Sequence, residues 1–175
     1  MIVDAAEKIL DRNAIKAKVD SLHQSGKVVV FTNGCFDLIH LGHIRLLQEA
    51  RKQGDCLVVA VNSDHSVEQI KGPGRPIIPD NQRAEVMAAL GCVDWVTIFN
   101  EPDPLVLIKL LKPDVLVKGT DWPEEKIIGA PEVRGAGGKV SRIPLEAELS
   151  TSDIFERIRT AAGKRTKQDA KHSED

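Results

Sequence analysis

The chain has 175 residues, of which 42% are hydrophobic and 29% charged, with a formal net charge of −2. These values predict one globular unit with an ordinary core, and the lack of basic excess argues against a nucleic-acid-coating role. No apolar run approaches the ~20 residues needed to cross a bilayer, and the acid-bearing first twenty residues lack the apolar centre of a signal peptide. Cys35, Cys56 and Cys92 are odd in number and lack CxxC spacing, so free thiols in a reducing cytoplasm are expected.

In chain order, residues 1–26 read as an N-terminal helical extension with Ile9, Val19 and Leu22 available for one face. "KVVVFT" (27–32) is a β-branched run, the mark of a buried strand. "IRLLQEARKQ" (44–53) places Ile44, Leu47 and Ala50 on one helical face and runs into Gly54, a natural helix C-terminal residue. A second strand follows at 56–62, then a helix at 80–90 with Asp80 as N-cap. The third strand is 95–99, followed by a helix at 103–112 with Asp103 as cap and Pro104 at its first position. Strands at 115–119 and 139–143 come next, and a last helix starts at "STSDIFERI" (150–158) with Ser150 or Thr151 as cap. The polar remainder, 163–175, lacks apolar periodicity and is expected to be disordered.

Strands alternating with helices predict a Rossmann-like, doubly wound, five-stranded parallel sheet flanked by helices, over residues 27–162. Ligands in such folds bind beyond the carboxyl ends of the strands, where the strand order reverses. The stretch "GCFDLIHLGHI" (34–44) lies there. Gly34 allows a tight turn after the strand, and Gly42 leaves room near the helix start. A helix N-terminus offers unpaired N–H groups and a positive dipole end. His40 and His43, three residues apart, share one helical face and can stabilise charge building on a bound phosphate. A single histidine at a helix start is more often a cap or surface group. Zinc is the other rival, disfavoured because no Glu stands between the histidines and no third ligand is near.

On these residues the chain resembles the H-x-G-H nucleotidyltransferase superfamily. "VAVNSD" (59–64), "KGPGRPIIPDNQRAEVMAALGCVDWV" (71–96), "VLVKGTDW" (115–122), "EVRGAGGKV" (132–140) and "STSDI" (150–154) narrow the resemblance. Together they are similar to the adenylyltransferases of ADP-heptose synthesis, which act on D-glycero-β-D-manno-heptose 1-phosphate. The resemblance implies attack by the sugar 1-phosphate on the α-phosphorus of ATP, with pyrophosphate leaving and Mg²⁺ held mainly by the ATP phosphates. His40, His43 and Lys71 would then be catalytic, and Asn33, Gly34, Cys35 and Phe36 would line the nucleotide. Asp37 either holds the turn or helps order the phosphate and substrate region. Asn62, Asp64 and Arg75 would face the sugar phosphate, although "KGPGRP" also reads as a solvated surface loop.

Arg83 opposes the dipole of its helix, which a phosphate would compensate, as would a local acid such as Glu85 or Asp80. Lys118, Gly119 and Asp121 would shape the nucleotide pocket, with Trp122 packing the base or the loop. Gly119-Thr120-Asp121 departs from the Gly-Gly-Asp of the adenylyltransferase pattern, which leaves base recognition open. Ser150, Thr151 and Ser152 are ordinary helix caps that also match the superfamily's second, phosphate-binding signature, with Ser152 in place of threonine. The implied partners are small-molecule substrates, with neither nucleic acid nor membrane, and a homo-oligomer is compatible with the N-terminal helix. The alternative activity is cytidylyl transfer to glycerol 3-phosphate or a similar alcohol phosphate.

Overall fold

A computed structural model describes residues 4–120, 122–144 and 154–161. Asp121, Ser150, Thr151, Ser152 and the 163–175 tail lie outside the described residues. Five parallel strands form one sheet: β1 (Val29–Gly34), β2 (Cys56–Asn62), β3 (Trp95–Phe99), β4 (Val115–Gly119) and β5 (Lys139–Ile143). Their order is β3-β2-β1-β4-β5, so the chain winds outward first on one side of β1 and then on the other. This is the expected Rossmann-like arrangement, and its switch point lies between β1 and β4.

Burial explains why these runs became strands. Every residue of β2 is buried, as a central strand covered on both faces requires. Alternate residues feed two cores. Val30, Leu57, Val59 and Val115 pack on one face with α2 (Leu41–Arg51) and α4 (Asp80–Ala89). Val29, Phe31, Val58 and Leu116 pack on the other with α1 (Arg12–Gln24), α5 (Leu105–Leu111) and α6 (Ala130–Gly135). Ile15 and Val19 of α1 are fully buried in this second core.

Several expectations shift. Ile9 precedes α1 and bridges Val96 at the sheet edge, with the Leu10 N–H donating to the Val96 carbonyl at 2.8 Å. Asp11 caps α1 by accepting from Asn13 and Ala14. β1 begins two residues later than expected and runs on through Asn33 and Gly34. α2 starts at Leu41 rather than 44, which puts His40 at the N-cap position and His43 inside the first turn. Asp80 is not the cap of α4: Pro79 holds that position, and the Asp80 carboxylate accepts from the Asp64 N–H at 3.0 Å. Two short helices had no clear periodicity in the sequence: α3 (Asp64–Lys71), capped by Ser63, and α6. Residues 154–161 form a further helix, α7.

Gly54 does not end a helix; α2 stops at Arg51 and Gly54 sits beyond the turn. Its need for no side chain is steric, because a Cβ there would lie 2.6 Å from Val30 Cγ2 and 2.7 Å from the Val28 carbonyl oxygen. Gly54→Ala is therefore expected to lower stability by about 1–3 kcal/mol. Gly91→Ala, where a Cβ meets nothing within 4 Å, should change it by less than about 0.5 kcal/mol. Urea unfolding of the two variants checks the contrast.

Candidate active site

The switch point opens because β1 and β4 pair only at Val30–Val115 and Phe31–Leu116. Beyond that, side chains span the gap. The Thr32 hydroxyl donates to the Val117 carbonyl at 3.0 Å, and Lys118 Nζ donates to the Asn33 carbonyl at 3.1 Å and Asn33 Oδ1 at 2.5 Å. Lys118 thus joins the two strand ends, where Asn33, Gly34 and Gly119 also lie. Trp122 is 48% exposed, its ring centroid 5.9 Å from Lys118 Nζ.

After β1 the chain turns at Phe36, whose φ is +47°. The left-handed residue of the turn is therefore Phe36 and not Gly34. Gly34 serves instead by leaving space, since a Cβ would stand 3.3 Å from the Phe36 ring. That ring is buried and meets His43 edge-on, with centroids 5.5 Å apart. A left-handed phenylalanine is a costly conformation, and its packing against Gly34 and His43 holds it in place.

His40 and His43 do come together, with ring centroids 3.9 Å apart. The His40 N–H donates to His43 Nδ1 at 3.4 Å, which leaves Nε2 to carry the proton of the neutral ring. Burial, then the neighbouring His40, then the charge of Lys71 push the His43 pKa down to about 4. Burial also lowers that of His40. At neutral pH the site therefore presents two uncharged imidazoles at the start of α2. Lys71, the last residue of α3, is exposed and acts electrostatically on both His43 and Cys35. Burial first of all raises the Cys35 thiol pKa, which favours the protonated thiol at neutral pH.

Other predicted residues are held by the protein. Arg83 is 1% exposed, not a surface arginine. Its Nε donates to the Ile78 carbonyl at 2.8 Å, Nη1 to the Cys35 carbonyl at 2.5 Å and Nη2 to Asp64 Oδ1 at 2.8 Å. The acid that answers its charge is Asp64, neither Glu85 nor Asp80. Asn62 is buried and donates to Ser66 Oγ, which donates on to the Glu101 carbonyl; it braces α3 rather than facing solvent. Asp37 is 1% exposed and bonded to Arg75 and to the Ile77 and Ile78 N–H groups. These bonds reach residues 75–78, so the Asp37 carboxylate ties the loop after β1 to the loop after α3. No pattern in the sequence pairs position 37 with position 75, so this contact was not legible there. An open cleft of about 430 Å³ beside α3 has Asp64, His65, Glu68 and Arg75 on its walls.

No group of three or more His, Cys, Asp or Glu side chains could hold a metal among the described residues, and the Asp37 carboxylate already accepts from three N–H groups. The zinc alternative finds no third ligand among the same residues. Nor is any described helix long and apolar enough to cross a membrane.

Two outcomes follow from these contacts. Arg83→Leu leaves the Cys35 and Ile78 carbonyls and Asp64 without their donor and is expected to cost about 3–5 kcal/mol in urea unfolding. The folded-state pKa of His43 lies below its unfolded value near 6.5, so unfolding takes up a proton between these limits. Its contribution to stability is present above pH 6.5 and lost as the pH falls towards 4. Unfolding free energies across that range should fall less steeply for His43→Asn than for the unaltered protein.

Residues 31–157 match the cytidylyltransferase-like family. The chain is 48% identical over 151 residues to the bifunctional protein HldE of Syntrophotalea carbinolica, covering 86% of this chain and 31% of that protein. It is 48% identical over 160 residues to HldE of Photobacterium profundum, covering 91% and 34%. The chain thus spans about a third of the length of these relatives. A lipopolysaccharide core biosynthesis protein from Thermoplasma volcanium superposes with a TM-score of 0.58 at 31% identity, over 71% of this chain and 100% of that one. A pantoate-beta-alanine ligase from Francisella tularensis shares the fold alone, with a TM-score of 0.60 at 16% identity over 84% and 75%. With its paired histidines at the mouth of the switch point, the chain belongs to the cytidylyltransferase-like family of nucleotidyltransferases.

Proposed function

We propose that this protein transfers AMP from ATP to a heptose 1-phosphate, forming ADP-heptose and pyrophosphate. The observation that carries the reading is the pair of neutral imidazoles on the first turn of α2, beside Lys71 and at the switch point of the sheet. A phosphate oxygen of the sugar 1-phosphate attacks the α-phosphorus in line. The new O–P bond forms as the bond from the α-phosphorus to the bridging oxygen breaks, and pyrophosphate carries the electron pair away. Such chemistry depends on positioning and on donors aimed where charge develops.

His40 and His43 supply neutral N–H donors, the α2 N-terminus adds its dipole, and the exposed Lys71 supplies a positive charge. Mg²⁺, when bound with the triphosphate, neutralises part of its charge. Asn33, the backbone of residues 34–36, Lys118 and Gly119 would hold the nucleotide. The exposed part of Asp64, whose side chain is 47% accessible, would accept a hydroxyl of the sugar in the cleft beside α3. Asp121, Ser150, Thr151 and Ser152 remain assigned to the nucleotide on sequence resemblance. The choice of heptose rests on the same resemblance, and the lipopolysaccharide role of the Thermoplasma protein agrees with it.

Pyrophosphate release from ATP or CTP, offered with heptose 1-phosphate or glycerol 3-phosphate, tests the reading. Turnover is expected with ATP and heptose 1-phosphate; turnover confined to CTP and glycerol 3-phosphate would replace it by the cytidylyl reading. His40→Ala and His43→Ala should each lower kcat by about 10²–10³-fold. Unchanged turnover in both would remove the histidines from the chemistry.

A further inference from the structure

We propose that Asp37 and Arg75 are positioning residues, a latch that sets Lys71 against the histidine pair, and that neither is a ligand of nucleotide, metal or sugar phosphate. The proposal deepens the reading above, since it concerns the same phosphate site. A carboxylate offers about four lone-pair positions; three N–H groups donate to this one, and Arg75 Nη2 is ion-paired to it without a hydrogen bond. Asp37 Oδ1 accepts from the Ile77 N–H at 2.8 Å and the Ile78 N–H at 3.0 Å. Oδ2 accepts from Arg75 Nε at 2.8 Å and lies 2.7 Å from Nη2. The Asp37 side chain is fully buried and that of Arg75 only 11% exposed. The Phe155 ring of α7 covers the guanidinium, with its centroid 5.3 Å from Cζ.

Position in the chain gives the latch its function. Asp37 stands three residues before His40, and Arg75 four residues after Lys71. Joining them fixes the end of α3 relative to the start of α2 through two short tethers. The same segment is gripped from the other side, because Ile78 gives its N–H to Asp37 and its carbonyl to Arg83. The latched charges cancel one another, so Arg75 adds no net charge beside the exposed Lys71. The bonds from Asn62, Ser66 and Arg83 hold the first half of α3, and the Asp37–Arg75 pair adds a restraint on the loop that follows Lys71.

The test compares Asp37→Asn, Arg75→Gln and the double variant, using pyrophosphate release and calorimetric titration with ATP. Each single variant is expected to lose kcat on the order of 10- to 100-fold, with KM and Kd for ATP nearly unchanged. The double variant should be no worse than either single one, because both break one device. The proposal is overturned if Arg75→Gln alone weakens ATP or sugar-phosphate binding about tenfold, the signature of a phosphate ligand. It is equally overturned if the two kcat losses multiply. Should Asp37→Asn fail to fold, Arg75→Lys keeps the charge but loses the paired geometry, and must lower kcat without raising KM. Failure of the substrate assignment looks different: the unaltered protein would not turn over heptose 1-phosphate, while the ATP titrations would still decide whether Arg75 touches phosphate.

Discussion

Among the described residues Arg83 is the largest side chain to be fully buried, and the shape of the site depends on what its guanidinium holds. A buried cation without acceptors is prohibitively costly, so three separate segments must converge on it. They are the loop after β1 through Cys35, the loop after α3 through Ile78, and the start of α3 through Asp64. These are the segments that carry the histidines and Lys71. An arginine in the first turn of a helix is unfavourable in isolation. Here that local misfit is the means by which α4 sets the position of two loops it does not otherwise contain.

Around this anchor the electrostatics are arranged in layers. Asp37 with Arg75, and Asp64 with Arg83, place opposite charges together close to the strand ends. Nearer the mouth, burial keeps His40 and His43 neutral, and Lys71 stays exposed. A polyanion entering such a site meets the exposed Lys71, a helix dipole and two imidazoles able to donate. Neutral donors favour an anion without the desolvation cost of fixed charges, and they can gain a proton as negative charge approaches. The raised thiol of Cys35 fits the same pattern, since burial favours its protonated, neutral form.

Much of the fold could be read from β-branched runs. The runs at 56–62, 95–99, 115–119 and 139–143 stand where the sequence put them; 56–62 is buried throughout as a central strand, while 95–99 and 139–143 are the sheet edges and only partly buried. The short helices were less legible. α3 buries only Ser66 and Val67, too little apolar surface to show a period. The first turn of α2 was marked by its histidines rather than by an apolar period, because Leu41 is 57% exposed and Gly42 adds no apolar mark. Gly54 shows the same limit from another side: a helix-ending glycine and a glycine crowded by Val30 look alike until the packing is known.

By itself the sequence determined the parallel sheet, the place of the switch point and the meeting of His40 with His43, because these depend on local periodicity and a spacing of three residues. Only the tertiary structure decided the partners of the charged side chains. Asp37 finds Arg75 thirty-eight residues away, and Arg83 finds Cys35 forty-eight residues away. Charge and residue type do not encode such distances; the winding of the chain around β1 brings those groups together and removes the water that would otherwise screen them.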